Sequence, residues 1–466
     1  MSTADRFFDR LLKFSWRDLL GAALGEDAQP LDPDLPEGDA ERVRAQMQEC
    51  LEAKGGEVSA RSRAVVLGHA YLSLNDTGKR RFLAILAEKF DADPGAIASA
   101  IAALGRPKPD RRKAHRALRQ ALEAPRLHLL TQFNALPEGV KFLVDLRADL
   151  LRLAGKDGAL LDLEADLKGL LAAWFDIGFL ALERITWRSP AAILEKLIAY
   201  EAVHAIKGWG DLKNRLDSDR RLYAFFHPRM PEEPLIFVEV ALVRGMASSI
   251  QALLDESAPL ADPARADTAI FYSISNAQKG LAGISFGNYL IKRVVDALAG
   301  EFPKLETFAT LSPIPGFRAW LEGKLGEGAL HLLTKAEHKA ITRHLGHGGG
   351  KGGLKALLGR ADWANDAEAV EVLKGPLQRL AARYLAAEKR ADGRALDPVA
   401  HFHLSNGARI ERLNWLADLS DKGMAQSMGL MVNYLYRLVD IDANHEDYAA
   451  QGKVALAPAI KTLLKA

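Results

Sequence analysis

The chain has 466 residues, more than one hydrophobic core organises, so two or three domains are expected. Its hydrophobic fraction of 48% and charged fraction of 26% are those of a globular protein. Lysine plus arginine total 62 against 60 aspartate plus glutamate, so no charge excess points to nucleic acid or an anionic membrane as partner. Cys50 is the single cysteine, which excludes an internal disulfide and a cysteine-built zinc site and fits a reducing compartment. It sits in a charged helical run and is read as structural. The most apolar stretch, Leu170 to Leu182, is short and broken by Asp176, so no bilayer span is expected. Asp5, Asp9 and Asp18 interrupt the apolar positions of the first twenty residues, leaving no signal-peptide core and only a faint amphipathic, transit-like pattern. The final Leu-Leu-Lys-Ala is not the peroxisomal tripeptide. Cytoplasm is the expected location.

Residues 1–185 read as helices and little else. Pro30, Pro33 and Pro36 mark a loop, and a helix from about Asp39 stops at Gly55-Gly56. Ser59 and Asp76 are expected N-caps of the next two helices; the second carries Phe82, Ile85, Leu86 and Phe90 on one face. Further helices run from Pro94, Asp110, Pro137 and Ala159. Leu143, Leu146, Leu150 and Leu153 repeat at helical spacing. Short connections suit an antiparallel bundle serving assembly. The basic cluster Arg111, Arg112, Lys113 and Arg116 is read as a solvated helix face.

The texture changes near Thr186. Ser189 and Pro190 open a new helix as N-cap and first residue. β-rich runs follow at Leu235–Val243, Thr268–Ser275 and Thr307–Leu311, separated by helices. The fold class is therefore α+β and multidomain: an all-helical bundle over 1–185, then an α/β catalytic domain over 186–466.

Between the second and third runs lies a glycine loop, Gln278, Lys279, Gly280, Leu281, Ala282 and Gly283. It precedes an amphipathic helix over 286–299 with Leu290, Ile291, Val294, Val295 and Leu298 on one face. Strand, glycine turn and helix is a device for holding a phosphorylated ligand on backbone N–H groups, although many helices follow a glycine for packing alone. Gly346–Gly353 lacks the Ser or Thr after Lys351 that a P-loop needs, and reads as a surface loop.

A helix from about Asp366 to Arg390 is kinked or divided at Gly375-Pro376. Pro398–Ser405, Asn406-Gly407 and Ala408–Leu413 read as a hairpin. On its first strand His401 and His403 face one side, a pair that needs a third ligand to hold metal; none has convincing spacing. Gly429–Leu438 is a last β-like run. Ser312 precedes a proline at a strand end, where active-site residues and turns both occur, and lacks the Gly-x-Ser-x-Gly elbow.

Six runs, in the order AIFYSIS, QKGLAG, LIKRVV, LSPIPGF, HFHLSNGA and GLMVNYLYRL, resemble the malonyl-CoA decarboxylase family. The similarity covers about 186–440 well and extends more weakly into the helical half. It implies a helical assembly domain joined to a catalytic domain of the acetyl-CoA-dependent N-acetyltransferase kind. It further implies conversion of malonyl-CoA to acetyl-CoA and carbon dioxide by a homo-oligomer. No cofactor is called for, because the thioester is its own electron sink.

The family's serine, histidine and tyrosine fall on Ser312, His403 and Tyr436, and the coenzyme A pyrophosphate on Gln278–Gly283. Gly280 and Ala282 fit the acetyltransferase loop, while Ala277 replaces its leading Gln or Arg, and Ser285 stands where animal members carry glutamate. His403 is the expected general acid/base, Ser312 its hydrogen-bond partner, and Tyr436 a donor to the carboxylate or enolate. Ser312 as a nucleophile with His403 as its base stays open. The alternative activity is N-acetyl transfer from acetyl-CoA; a non-enzymatic acyl-CoA sensor is a third reading.

Overall fold

The computed structural model describes residues 30–53, 56–106, 110–134, 136, 138–175, 177–284, 290–327, 332–346, 352–360 and 362–465. Ser285, Pro137, the first twenty residues, most of the Gly346–Gly353 loop and Ala466 lie outside the described residues. Contacts divide the chain into two compact units. One comprises Met1–Ala181, Phe226–Leu235 and Ala277–Phe286; the other comprises Leu182–Phe225, Ile236–Asn276 and Gly287–Ala466.

The helices described in the first unit are α1 (Glu37–Leu51), α2 (Glu57–Ser73), α3 (Asp76–Lys89), α4 (Pro94–Leu104), α5 (Arg111–Ala121), α6 (Pro125–Asn134), α7 (Gly139–Leu153) and α8 (Gly158–Trp174). Asp93, Asp110 and Asp157 cap α4, α5 and α8 by accepting first-turn N–H groups. Two expected caps move. Asn75, not Asp76, caps α3 by accepting the Gly78 N–H at 3.1 Å. Ser59 lies inside α2, which starts after Gly56 at φ +95, a conformation only glycine adopts without strain. α6 has no counterpart among the expected helices. Leu83, Leu86, Leu129, Leu130, Leu143 and Leu146 form a buried interior. Cys50 is buried too, its thiol donating to the Ala60 carbonyl at 3.4 Å; burial pushes its pKa up.

The second unit is built on an eight-stranded mixed sheet in the order β1-β2-β3-β4-β5-β8-β6, with β7 paired to β8. The strands are β1 (Ala181–Ile185), β2 (Arg220–Phe226), β3 (Ile236–Val243), β4 (Thr268–Asn276), β5 (Thr307–Thr310), β6 (Ser312–Pro313), β7 (Arg409–Asn414) and β8 (Met431–Leu435). β4 and β5 run parallel, with Phe271 opposite Thr310, while β8 runs antiparallel to β5, β6 and β7. β3 and β4 are buried along almost their whole length, which is why both read as continuous apolar runs. β1, with Glu183 and Arg184 among its five residues, and β2, which opens on Arg220 and Arg221, have no counterpart among the expected strands.

This unit also carries the helices α9 (Leu290–Glu301), α10 (Ala367–Ala386) and α11 (Pro398–Ser405). α10 keeps Pro376 inside one continuous helix. The expected hairpin is corrected: its first strand is α11. Asp397 caps it through the Val399 and Ala400 N–H groups, and Pro398 occupies its first turn. Asn406-Gly407 does not reverse a strand. Gly407, at φ +78, ends the helix: its N–H reaches the Leu404 carbonyl and the Ala408 N–H reaches the His403 carbonyl. One dipeptide serves either turn, and local sequence does not choose between them.

Candidate functional site

Ser312, His403 and Tyr436 come together inside the second unit. β5 carries the chain to Thr310; Leu311 continues the ladder by donating to the Phe271 carbonyl; Ser312 opens β6 against Val432. Strand alternation sends Ala309 and Leu311 into an apolar cluster with Ile270, Tyr272 and Met431. Thr310 and Ser312 therefore share the opposite side, where the Ser312 hydroxyl donates to Thr310 Oγ1 at 2.8 Å.

His403 arrives from α11. Its Nε2 lies 3.1 Å from Ser312 Oγ, and its Nδ1 lies 2.7 Å from the Tyr436 hydroxyl. Tyr434 stacks on the imidazole at 4.4 Å between centroids, and Phe402 meets it edge-on. Ser312, His403 and Tyr436 are 5%, 3% and 2% exposed, so the group is nearly dry. Two further hydrogen bonds hold its floor. The Tyr434 N–H donates to Thr310 Oγ1 at 3.1 Å, and Asn433 Nδ2 donates to the Thr310 carbonyl at 2.6 Å.

Burial fixes the protonation states. It pushes the His403 imidazole down to about 3 and the Tyr436 phenol well above its ordinary value. The ordinary histidine pKa that recommends His403 as an acid/base therefore does not hold at this buried position. The Tyr436 hydroxyl is engaged by His403 Nδ1.

His401 and His403 do not share a face. Two positions apart on a helix is about 200° of rotation. His401 turns instead to the Tyr448 hydroxyl at 2.9 Å from its Nδ1. Among the described residues no group of three metal-binding side chains occurs.

The glycine loop belongs to the helical unit. A short 3-10 turn, Lys279–Leu281, lies at its centre. Gln278 is buried, its amide donating to Glu233 at 3.2 Å and to the Pro234 carbonyl at 3.1 Å. A Cβ on Gly280 would overlap the Val144 carbonyl of α7, and Arg147 donates to the Gly280 carbonyl at 2.5 Å while pairing with Glu164. Packing thus explains this glycine without a ligand. The N–H groups of Leu281, Ala282 and Ile284 are spent on backbone turns. Leu281 is buried, leaving Lys279, Ala282 and Gly283 as the exposed members. The following helix is described over Leu290–Glu301, and its expected start at 286 lies outside the described residues.

Thr310, Asn433, Tyr434 and Asp397 escape the sequence reading as site residues. Thr310 had a signal, the two-residue strand period before Ser312; Asn433 and Tyr434 sit inside the quoted NYLYRL run. Asp397 shows only as a helix cap once α11 is recognised.

The family profile "Malonyl-CoA decarboxylase C-terminal domain" matches residues 178–466, and "Malonyl-CoA decarboxylase N-terminal domain" matches 90–175. A malonyl-CoA decarboxylase of Anser anser anser, named mitochondrial, is 42% identical over 393 residues, covering 80% of this chain and 77% of that protein. Its counterpart from Rattus norvegicus, also named mitochondrial, is 39% identical over 427 residues, covering 88% and 83%. The crystal structure of malonyl-CoA decarboxylase from Rhodopseudomonas palustris superposes with a TM-score of 0.84 at 42% identity, covering 91% of this chain and 99% of that one. The structure from Agrobacterium vitis gives 0.81 at the same identity and coverage.

Proposed function

Because the chain belongs to the malonyl-CoA decarboxylase family, we propose that Ser312, His403 and Tyr436 carry its reaction, the conversion of malonyl-CoA to acetyl-CoA and carbon dioxide. The enzyme is a decarboxylase, a carbon–carbon lyase. The observation that supports this assignment is the buried hydrogen-bonded chain Tyr436–His403–Ser312.

A malonyl thioester loses carbon dioxide when the scissile bond stands perpendicular to the thioester plane. The electrons of the breaking bond then pass to the thioester oxygen as an enolate. A donor aimed at that oxygen is worth about 3–4 kcal/mol in a dry site. Ser312 is the hydroxyl available for this contact. His403 behind it, as the imidazolium, gives up the proton that the enolate carbon takes and returns to the neutral ring. An entering carboxylate favours the charged imidazole and offsets the burial that otherwise holds it neutral. Tyr436 orients the ring through Nδ1. The low exposure of all three side chains strengthens each interaction and keeps water from competing.

Lys279 and Gly283 are the members of the glycine loop proposed to meet the coenzyme A phosphates, with a raised KM expected for Lys279→Ala. Assembly as a homo-oligomer through the helical unit is proposed on its bundle character and is checked by light scattering. A cytoplasmic location is proposed on the single cysteine, and cell fractionation checks it. Among the described residues no helix is long and apolar enough to cross a membrane.

Ser312→Ala and His403→Ala should each lower turnover by roughly tenfold or more while leaving the circular dichroism unchanged. Near-normal carbon dioxide release from either variant removes that residue from the mechanism. Malonyl-CoA supplied without an amine should give carbon dioxide and an intact acetyl thioester. Free thiol appearing only with an amine acceptor would instead mark N-acetyl transfer.

A further inference from the structure

The Ser312 hydroxyl has a single proton, and it is directed at Thr310 Oγ1, 2.8 Å away. Thr310 is held in place to receive it. Its side-chain oxygen also accepts the Tyr434 N–H, and its carbonyl accepts Asn433 Nδ2. Asn433 is itself fixed, its Oδ1 taking Asn414 Nδ2 at 2.8 Å and Arg412 Nε at 3.1 Å. Thr310, Asn414 and Asn433 are all buried.

With that proton committed, the 3.1 Å contact between Ser312 Oγ and His403 Nε2 is a hydrogen bond only if Nε2 carries hydrogen and donates. A neutral imidazole has one N–H. Nδ1 is then a lone pair, and the Tyr436 hydroxyl must donate to it across 2.7 Å. Every donor in the sequence Tyr436, His403, Ser312, Thr310 then points the same way, so each bond polarises the next.

We propose that Thr310 is a positioning residue that sets this direction, holding His403 as the Nε2–H tautomer and Ser312 as a hydrogen-bond donor rather than a base-activated nucleophile. A serine nucleophile needs the opposite polarity, with its O–H directed at an unprotonated Nε2. The burial of His403 and Tyr436 supports the assignment by keeping both neutral. The inference rests on the reading of Ser312 and His403 as reaction residues: when an acyl group enters, the Ser312 O–H swings from Thr310 to the substrate while His403 goes on donating into Ser312 Oγ.

The test is nitrogen NMR of the full chain with isotopically labelled histidine, the His403 signals being assigned by their loss in His403→Gln. The wild-type chain and Thr310→Ser should both carry the proton on Nε2. Thr310→Val removes the acceptor, frees the Ser312 proton for Nε2, and should move the tautomer ratio toward Nδ1–H by roughly tenfold, the scale of one hydrogen bond. Labelling of Ser312 by a fluorophosphonate should rise with it. A wild-type proton on Nδ1, or a Thr310→Val spectrum unchanged from wild type, overturns the proposal. If Thr310→Val does not fold, the wild-type and Thr310→Ser spectra decide. The outcome is separable from the reaction reading: Ser312→Ala could retain turnover while the tautomer stays as assigned.

Discussion

Ser312 and His403 lie 91 residues apart in the chain and 3.1 Å apart in space. Two local devices close that gap. The parallel register of β5 on β4 delivers Ser312, and the Asp397 cap begins the helix that delivers His403. Asp397→Ala removes two cap hydrogen bonds, at 3.0 and 2.9 Å, from a fully buried position. It should lower stability by about 1–2 kcal/mol and reduce turnover as α11 loosens. Asp397→Asn keeps the capping oxygen and should recover most of both; urea denaturation and carbon dioxide release measure them.

Gly280 tests packing against ligand contact. Its missing Cβ makes room for the Val144 carbonyl, and backbone cannot move aside as a side-chain tip can. Gly280→Ala should therefore destabilise the protein by about 1–3 kcal/mol in a denaturation experiment. An increase in KM with unchanged stability would show that the glycine serves a ligand instead.

Acid sensitivity should follow from histidines held neutral. Burial pushes His403 down to about 3 and His204 down to about 4, whereas each imidazole of the unfolded chain titrates near 6.5. Between those values the unfolded state binds the extra protons. Stability is therefore fully present above about pH 6.5 and falls as the pH drops toward 3–4, by at most about 2 kcal/mol per histidine at about pH 5. His204→Gln should shrink the stability difference between about pH 7.5 and about pH 5. Over the same range His403 of the free enzyme should contribute no break to kcat/KM.

Arg215 supports a buried acid. It donates to Glu239 at 2.9 Å and to Asp211 at 2.9 Å, and Glu239 is fully buried. Desolvation lifts Glu239 to about 7 even with the guanidinium beside it. Arg215→Met leaves that carboxyl without its cation and should lower stability by about 3–5 kcal/mol at neutral pH. Adding Glu239→Gln should recover a large part of the loss; if the double variant is no more stable than the single one, the carboxyl is not the source of the penalty.

The change from helices to a mixed sheet is legible in the amino-acid order alone, because a repeat every three to four residues and continuous apolar runs are local signals. The family is legible as well, through LSPIPGF and HFHLSNGA, and with it the expectation that Ser312, His403 and Tyr436 form one site. Whatever depends on neighbours distant in the chain emerges only on folding. Pro398–Ser405 suits a strand or a helix by its own residues, and the helix is the form in which His401 meets Tyr448 while His403 meets Ser312. Gly280 is glycine because α7 presses against it. His403 is neutral because Tyr434, Phe402 and Tyr436 exclude water from it, and no spacing rule reports the dielectric around a side chain.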